Sequence, residues 1–409
     1  MSETKMQAQN PFRSVLMGNG TLLVQCAEAL LARGNTVIGV VTENPEIAGW
    51  AEGRGLRVIA PTPRKTLAER IGSDPFEWLF SIANLSIIPA DVLALSARGA
   101  INFHDGPLPR YAGLNAPVWA LANREPTHGI TFHLIEGGVD EGDILAQRTF
   151  DLAPSETCLT LNTRCYEVAI DAFADVADML GRWELNRTKQ DLSQRTYFAK
   201  DLRPEAGCTL DFTRPAADVA ALVRALDHGR YPNPVGTPKA VLPSGALLLG
   251  DAVETGASSL LAPGAVVAVD EGGLEVATGS GTLRFSQVRC IEGGPLSLAA
   301  LTARGVAPGS SLLTDPALRT WLSELDAWLA PHEAFWTKRL LASAPTPMPG
   351  AVLEGAGDAL AGGLLSRVSV SFTGDSAKSE ALLAGLSALL LRLGSAPEVE
   401  LGHRHAGLD

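Results

Sequence analysis

Residues 13 to 18 read RSVLMG, residues 21 to 34 read TLLVQCAEALLARG, and residues 36 to 42 read TVIGVVT. The chain therefore opens as a buried apolar run, a helical run and a second buried run. Strands joined in this way lie parallel, because a parallel pair needs a crossover and a helix supplies it. The alternation continues with RVIA at 57 to 60 and EWLFSIA at 77 to 83 as strands and PADVLAL at 89 to 95 as a helix. GAINFH, HGITFHLIE and DILAQRTFDL then read as strands, and a long helix from roughly 155 to 184 closes the unit. The pattern predicts an α/β class: a Rossmann-like, largely parallel sheet with helices on both faces and its working loops at the carboxyl edge of the strands.

One such edge carries chemistry. In an extended backbone residues two apart face the same way, so Asn102 and His104 project together at the end of GAINFH. Asp140 arrives on the Gly-rich loop Gly138-Val139-Asp140-Glu141-Gly142-Asp143, and an Asp beside a His can hold the ring in one tautomer and raise its basicity. An amide donor, a titratable ring and an orienting carboxylate form a set for acyl transfer. Taken singly, each has an ordinary structural reading: a satisfied core histidine and two loop caps. Gly18-Asn19-Gly20 invites comparison with a dinucleotide fingerprint, but the third glycine is missing, and a tight turn that lets the helix pack on the sheet explains the pair.

Asn102-Phe103-His104, Leu108-Pro109-Arg110-Tyr111-Ala112-Gly113 and Gly129-Ile130-Thr131-Phe132-His133-Leu134, running into Val139-Asp140-Glu141-Gly142-Asp143, stand in an order and spacing that resemble the folate-dependent formyltransferase family. The resemblance covers about residues 12 to 300. It implies that Asn102, His104 and Asp140 are catalytic and that 10-formyltetrahydrofolate is the cosubstrate, with no metal. It also implies that the loop Asn84-Leu85-Ser86-Ile87-Ile88, together with Val139, Glu141, Gly142 and Asp143, binds the pterin, with Ile87 and Ile88 walling the ring. Without the resemblance, that loop reads as an ordinary turn carrying two core isoleucines. The acceptor side is expected to involve Asp105, Arg110, Tyr111 and Asn115. This chain departs from the family there: Asp105-Gly106-Pro107-Leu108-Pro109 stands where a Ser-Leu-Leu-Pro run is usual, and Ala112-Gly113 where Arg-Gly is frequent. Asp105 can bind an amine, raise the basicity of His104, or cap the following turn.

The acceptor is then read from charge. The formal net charge is -12, and binding a polyanion needs clustered Lys and Arg to displace counterions, so the sequence argues against nucleic acid. The tRNA-acting members of the family carry a basic insertion after an early strand, whereas Thr42-Glu43-Asn44-Pro45-Glu46-Ile47 is short and acidic. The expectation is an N-formyltransferase acting on an amino acid or small amine, free or held on a carrier protein, in nonribosomal peptide or related natural-product assembly. An amino sugar, a hydroxyornithine-type amine and methionyl-tRNA are the alternatives, and a noncatalytic folate-binding or docking module of a synthase is the alternative of another class. Five scattered cysteines without a C-x-x-C pair, no signal-peptide-like start and no run of membrane-spanning length point to a cytoplasmic protein without a membrane partner.

Three units are expected: a catalytic domain over 12–185, a small β-barrel (OB-like) over 207–300 and a helical or α/β extension over 310–409. Residues 185 to 206 read as a linker. The helix AADVAALVRALDHG, capped by Thr213 with Pro215 in its first turn, precedes the short strands KAVLP, ALLLGDAV, GAVVAVD, GLEVATG and TLRFSQVRC. Arg224, Arg230 and Lys239 are candidate contacts for an acceptor phosphate, although three isolated cations are usually surface. Beyond 310, two Trp-rich helices within LRTWLSELDAWLAPHEAFWTKRLLA lead to SRVSVSFT and SEALLAGLSALLLRLG, a loose resemblance to part of a condensation domain without its His-His motif. His403 and His405 read as a solvated tail.

Overall fold

A computed structural model describes residues 10 to 341. The strands of the first half are β1 (Arg13–Met17), β2 (Thr36–Val41), β3 (Val58–Ile59), β4 (Phe76–Ser81), β5 (Ser96–His104), β6 (Ala112–Gly113), β7 (Thr127–Leu134), β8 (Ile144–Asp151) and β9 (Tyr197–Phe198). A seven-stranded sheet runs in the order β3-β2-β1-β4-β5-β7-β8. The strands from β3 to β5 pair in parallel, whereas β7 is antiparallel to β5 and β8 to β7. A hairpin thus closes one edge of the parallel sheet.

Both faces are covered. Leu16 packs with Leu23, Phe80 and Phe173 on one side, while its neighbours Val15 and Met17 pack with Leu79, Ile88 and Val92 on the other. The period-2 burial of an apolar strand becomes two cores. The helices Leu22–Ala32 and Cys158–Gly181 cover the first face, and the second of them is fixed at its start by a capping box between Thr157 and Thr160.

After the helix Ala216–Ala225 come β10 (Lys239–Leu242), β11 (Gly245–Glu254), β12 (Val266–Asp270), β13 (Gly273–Ala277) and β14 (Thr282–Arg289). They form an antiparallel sheet in the order β10-β11-β14-β13-β12, a half-barrel whose core of Phe212, Leu247, Val276 and Phe285 is shared with Val219 and Val223 of the helix. That helix starts later than the sequence indicates. Pro215 sits at its N-cap, and the Thr213 hydroxyl is spent on Asp211 instead of a helix amide.

Residues 185 to 206 are not a simple linker. Their backbone returns to the first sheet, where Thr188 pairs with Ile144, and then forms a separate two-stranded parallel ribbon in which β9 pairs with β6. Polar composition disguised this, because the bonds that hold the segment are made by backbone and amide groups and not by an apolar face. The Trp-rich stretch is one helix, Pro316–Leu341, which continues through Pro331, and not two. Described residues up to Ala330 form one compact unit. SRVSVSFT, SEALLAGLSALLLRLG, His403 and His405 lie outside the described residues. Among the described residues no helix is long and apolar enough to cross a membrane.

Candidate active site

The hairpin sets the geometry of the site. Antiparallel register places His133 opposite Asn102 and Thr131 opposite His104, so two polar pairs face each other at the carboxyl end of β5. Asn102 Nδ2 lies 3.2 Å from His133 Nε2. His104 is buried, and its Nε2 lies 2.7 Å from the Tyr111 carbonyl oxygen. A carbonyl only accepts, so Nε2 carries a hydrogen and Nδ1 is the nitrogen left for other partners. It stands between two carboxylates, 3.7 Å from Asp140 Oδ2 and 4.0 Å from Asp105 Oδ1.

Asp140 adopts φ 56°, a left-handed conformation that a non-glycine residue holds at some cost. Its carboxylate accepts from the Gly113 amide at 2.8 Å, and Oδ1 stands 3.3 Å from His133 Nε2. Burial resists ionisation of this group. The charge of His104, the hydrogen bonds from His133 and Gly113, and the charge of His133 outweigh that penalty and hold the pKa at about 2. Asp140 is a carboxylate built to stay ionised. His133 is committed as well: Nδ1 donates to the Leu134 carbonyl at 2.8 Å, so Nε2 accepts from Asn102 when the ring is neutral and donates to Asp140 when it is charged.

Residues 187 to 198 clasp this corner. Gln190 donates through Nε2 to the carbonyls of Asp140 at 2.9 Å and Gly142 at 2.6 Å, while Arg195 reaches the Val139 carbonyl at 3.0 Å and Arg187 pairs with Asp143 and Glu136. Thr196 accepts from the Tyr111 amide at 2.8 Å. Phe198 stacks between Tyr111 and Trp119 with centroid separations of 5.3 and 5.1 Å. Close approach dictates two glycines: a Cβ on Gly113 would lie 2.1 Å from the Phe198 carbonyl, and one on Gly142 would lie 1.8 Å from that of Leu134.

Asn102, His104 and Asp140 come together in one corner. The rest of the expected set divides. Leu85 and Ile87 are each 77% exposed on a loop that the Asn84 side chain braces through bonds to Ser81 and Ser86. Asn84, Ser86 and Ile87 line a cavity of about 130 Å³ with Asn19, Glu43 and Arg64. Ile88 does not wall that space; it is buried in the core against Val92 and Leu79, because alternation along the loop turns it inward. Val139 is exposed, Glu141 accepts from the Gly138 amide and faces Arg195, and Asp143 is held by Arg187.

On the acceptor side, Arg110 and the Tyr111 hydroxyl both bond Glu125, and Tyr111 is buried. The Arg110 side chain remains about half exposed beside Glu125, and the Tyr111 carbonyl accepts from His104. Asn115 adopts φ 59° at the start of the helix Ala116–Ala122 without capping it. Asp105 does not cap the turn after His104. Thr131 takes that task, accepting from the Leu108 amide and donating to the Gly106 carbonyl. Lys239 is spent on the Gly207 carbonyl, and burial lowers the pKa of Arg224.

His133, Thr131 and Gln190 were not singled out as site residues from the sequence. Pairing HGITFHLIE antiparallel to GAINFH would have placed the first two opposite Asn102 and His104. For Gln190 no local pattern gives a signal.

Comparison with known families matches residues 77–177 to the formyl transferase model and residues 203–304 to the formyl transferase C-terminal domain model. The methionyl-tRNA formyltransferase of Geotalea uraniireducens is 30% identical over 321 residues, covering 73% of this chain and 97% of that protein. In fold, the chain is similar to the N-formyltransferase from Helicobacter canadensis solved with folinic acid and dTDP-3-aminofucose, at TM-score 0.55 and 16% identity over 68% of this chain and 99% of that one. WlaRD, a sugar 3N-formyltransferase solved with dTDP and 5-N-formyl-THF, gives TM-score 0.54 and 17% identity over 68% and 97% of the two chains.

Proposed function

The chain belongs to the formyltransferase family, and from that premise we propose that it moves the formyl group of 10-formyltetrahydrofolate onto the primary amine of an amino acid or another small amine. The observation that carries the reading is the convergence of Asn102, His104 and Asp140 on one corner, with Asp140 held ionised. The exposed apolar side chains of Leu85, Ile87 and Val139 support a role in meeting a flat heterocycle.

The folate donor supplies an activated formyl carbon. The acceptor nitrogen attacks that carbon and negative charge gathers on its oxygen. Asn102 donates to that oxygen; loss of such a donor costs roughly 10²- to 10³-fold in rate. His104 donates a second bond from Nδ1 when that nitrogen carries a proton and accepts a proton there when it does not, a relay worth roughly 10²- to 10⁴-fold. Asp140 orients His104 and stabilises its charged form. As the carbon–nitrogen bond to the acceptor forms, the bond to N10 breaks, N10 gains one proton, and a protonated amine releases one more to solvent.

Support for a small acceptor comes from the net charge of -12 and from Thr42–Ile47, where a Glu-bearing turn stands in place of basic residues. Whether the amine is free or carrier-held, and its place in natural-product assembly, belong to the same proposal. A methionyl-tRNA acceptor is the second reading, favoured by the 30% identity to the Geotalea enzyme along nearly its whole length. Incubation with 10-formyltetrahydrofolate and separate panels of free amino acids, carrier-loaded aminoacyl groups, amino sugars and tRNA, read by mass, decides among them. A formyl gain on small or carrier-held amines that disappears in Asn102→Ala is expected. A gain on tRNA alone overturns the small-amine reading.

A further inference from the structure

Asp105 is the loose charge in an otherwise tied corner. Its backbone is pinned, since the His128 ring lies 2.8 Å from the Asp105 carbonyl oxygen through Nε2. Its turn is capped by Thr131, as described above. Among the described residues, however, its carboxylate accepts no hydrogen bond, and the side chain is about two-thirds buried, with 31% exposure. At that exposure its oxygens still meet solvent, so they remain open to a donor brought by a ligand. Its Oδ1 stands 4.0 Å from His104 Nδ1, beyond hydrogen-bond reach.

We propose that Asp105 anchors the acceptor as an ammonium ion, so that the preferred acceptor is an aliphatic amine that is protonated at neutral pH. This rests on the formyl-transfer reading and narrows it. Asp140 is unsuited to the task. Its oxygens already face Gly113, His133 and His104, and at a pKa of about 2 it is a poor recipient for a proton. The bound ammonium gives one proton through Asp105 to solvent, the freed lone pair forms the bond to the formyl carbon, and N10 leaves with a proton. An aliphatic amine, with a pKa near that of lysine at about 10.4, arrives charged. An alkoxyamine arrives neutral and has nothing to offer a carboxylate but a weak hydrogen bond.

The test compares n-propylamine with O-methylhydroxylamine as acceptors for the full chain, in wild type, Asp105→Asn and Asp105→Glu, with formylated product read by mass and folate binding by fluorescence. In Asp105→Asn the preference for the charged over the neutral acceptor, taken as the ratio of kcat/KM, is expected to fall roughly 10- to 100-fold, the span of a hydrogen bond to a charged group. The loss is expected in KM, and Asp105→Glu is expected to restore part of it. An equal fall in kcat for both acceptors would place Asp105 behind His104 and overturn the proposal. An unchanged ratio would overturn it as well. A wild-type chain that binds folate and formylates neither amine would instead defeat the small-amine reading on which it rests.

Discussion

The corner built by Asn102, His104 and Asp140 and the loop carrying Leu85 and Ile87 lie at the same edge of the same sheet, yet they are opposites in construction. In the corner, His104, His133, Asp140 and Gln190 are buried or nearly so, and each has a partner at hydrogen-bond or ion-pair distance. On the loop, two large apolar side chains are 77% exposed, and the turn is held by the Asn84 brace and the buried Ile88. The difference separates two tasks. Groups that stabilise developing charge must be fixed before the reaction, because reorganising them would forfeit their effect. Apolar surface that meets a ligand must stay uncovered until the ligand arrives.

If the corner does the chemistry, its members should fail in rate and the loop in affinity. His104→Ala is expected to show the largest loss, roughly 10³-fold in kcat/KM with the folate dissociation constant little changed; a loss confined to KM would break the contrast. Gly106→Ala tests the same corner through packing. A Cβ there would stand 2.7 Å from His104 Nε2 and 3.0 Å from the Tyr111 carbonyl oxygen, displacing the ring, and a fall of roughly 10- to 100-fold in kcat is expected.

Gln190→Ala removes the two bonds that Gln190 makes to the Asp140 loop. It is expected to cost about 1–3 kcal/mol in urea unfolding and a comparable 10-fold or so in kcat. On the loop, Ile87→Ser is expected to weaken folate binding by roughly 5- to 30-fold, equivalent to about 1–2 kcal/mol of apolar contact, with kcat preserved and stability within about 0.5 kcal/mol of wild type. Unchanged folate binding would remove Ile87 from the cleft wall.

A further effect is on acid stability. The folded pKa of Asp140, about 2, lies below its ordinary 3.8, so its contribution is complete above 3.8 and is lost as pH falls toward 2. The shift corresponds to about 2 kcal/mol. Wild type should therefore lose more stability between about pH 5 and about pH 2 than Asp140→Asn does, as measured by urea midpoints, and parallel curves would contradict the ionised, hydrogen-bonded state of this group.

How much of this was legible in the sequence follows from the range of the forces involved. Apolar alternation is local, so β1, β2, β4, β5 and the helices between them could be read directly. The Asn102–His104 pair follows from the two-residue period of a strand, and Asp140 from its place in a motif. The clasp was hidden because Gln190 and Arg195 act through bonds to carbonyls about fifty residues away, which no spacing rule reports. The bonds of Arg110 and Tyr111 to Glu125 are not legible either, because Glu125 lies outside the motif. Ile88 was assigned to the rim with Ile87, although consecutive residues in an extended loop face opposite sides. The Thr213 cap failed because Asp211 competes for the same hydroxyl.

The central claim is that Asp140 works on the chemical step through His104. Single-turnover formyl transfer from 10-formyltetrahydrofolate by Asp140→Asn, run with whichever acceptor the wild type formylates, measures that step directly. A rate roughly 10²-fold or more below wild type, with folate affinity and folding retained, is the expected result. A rate within about twofold of wild type in the folded variant would contradict it.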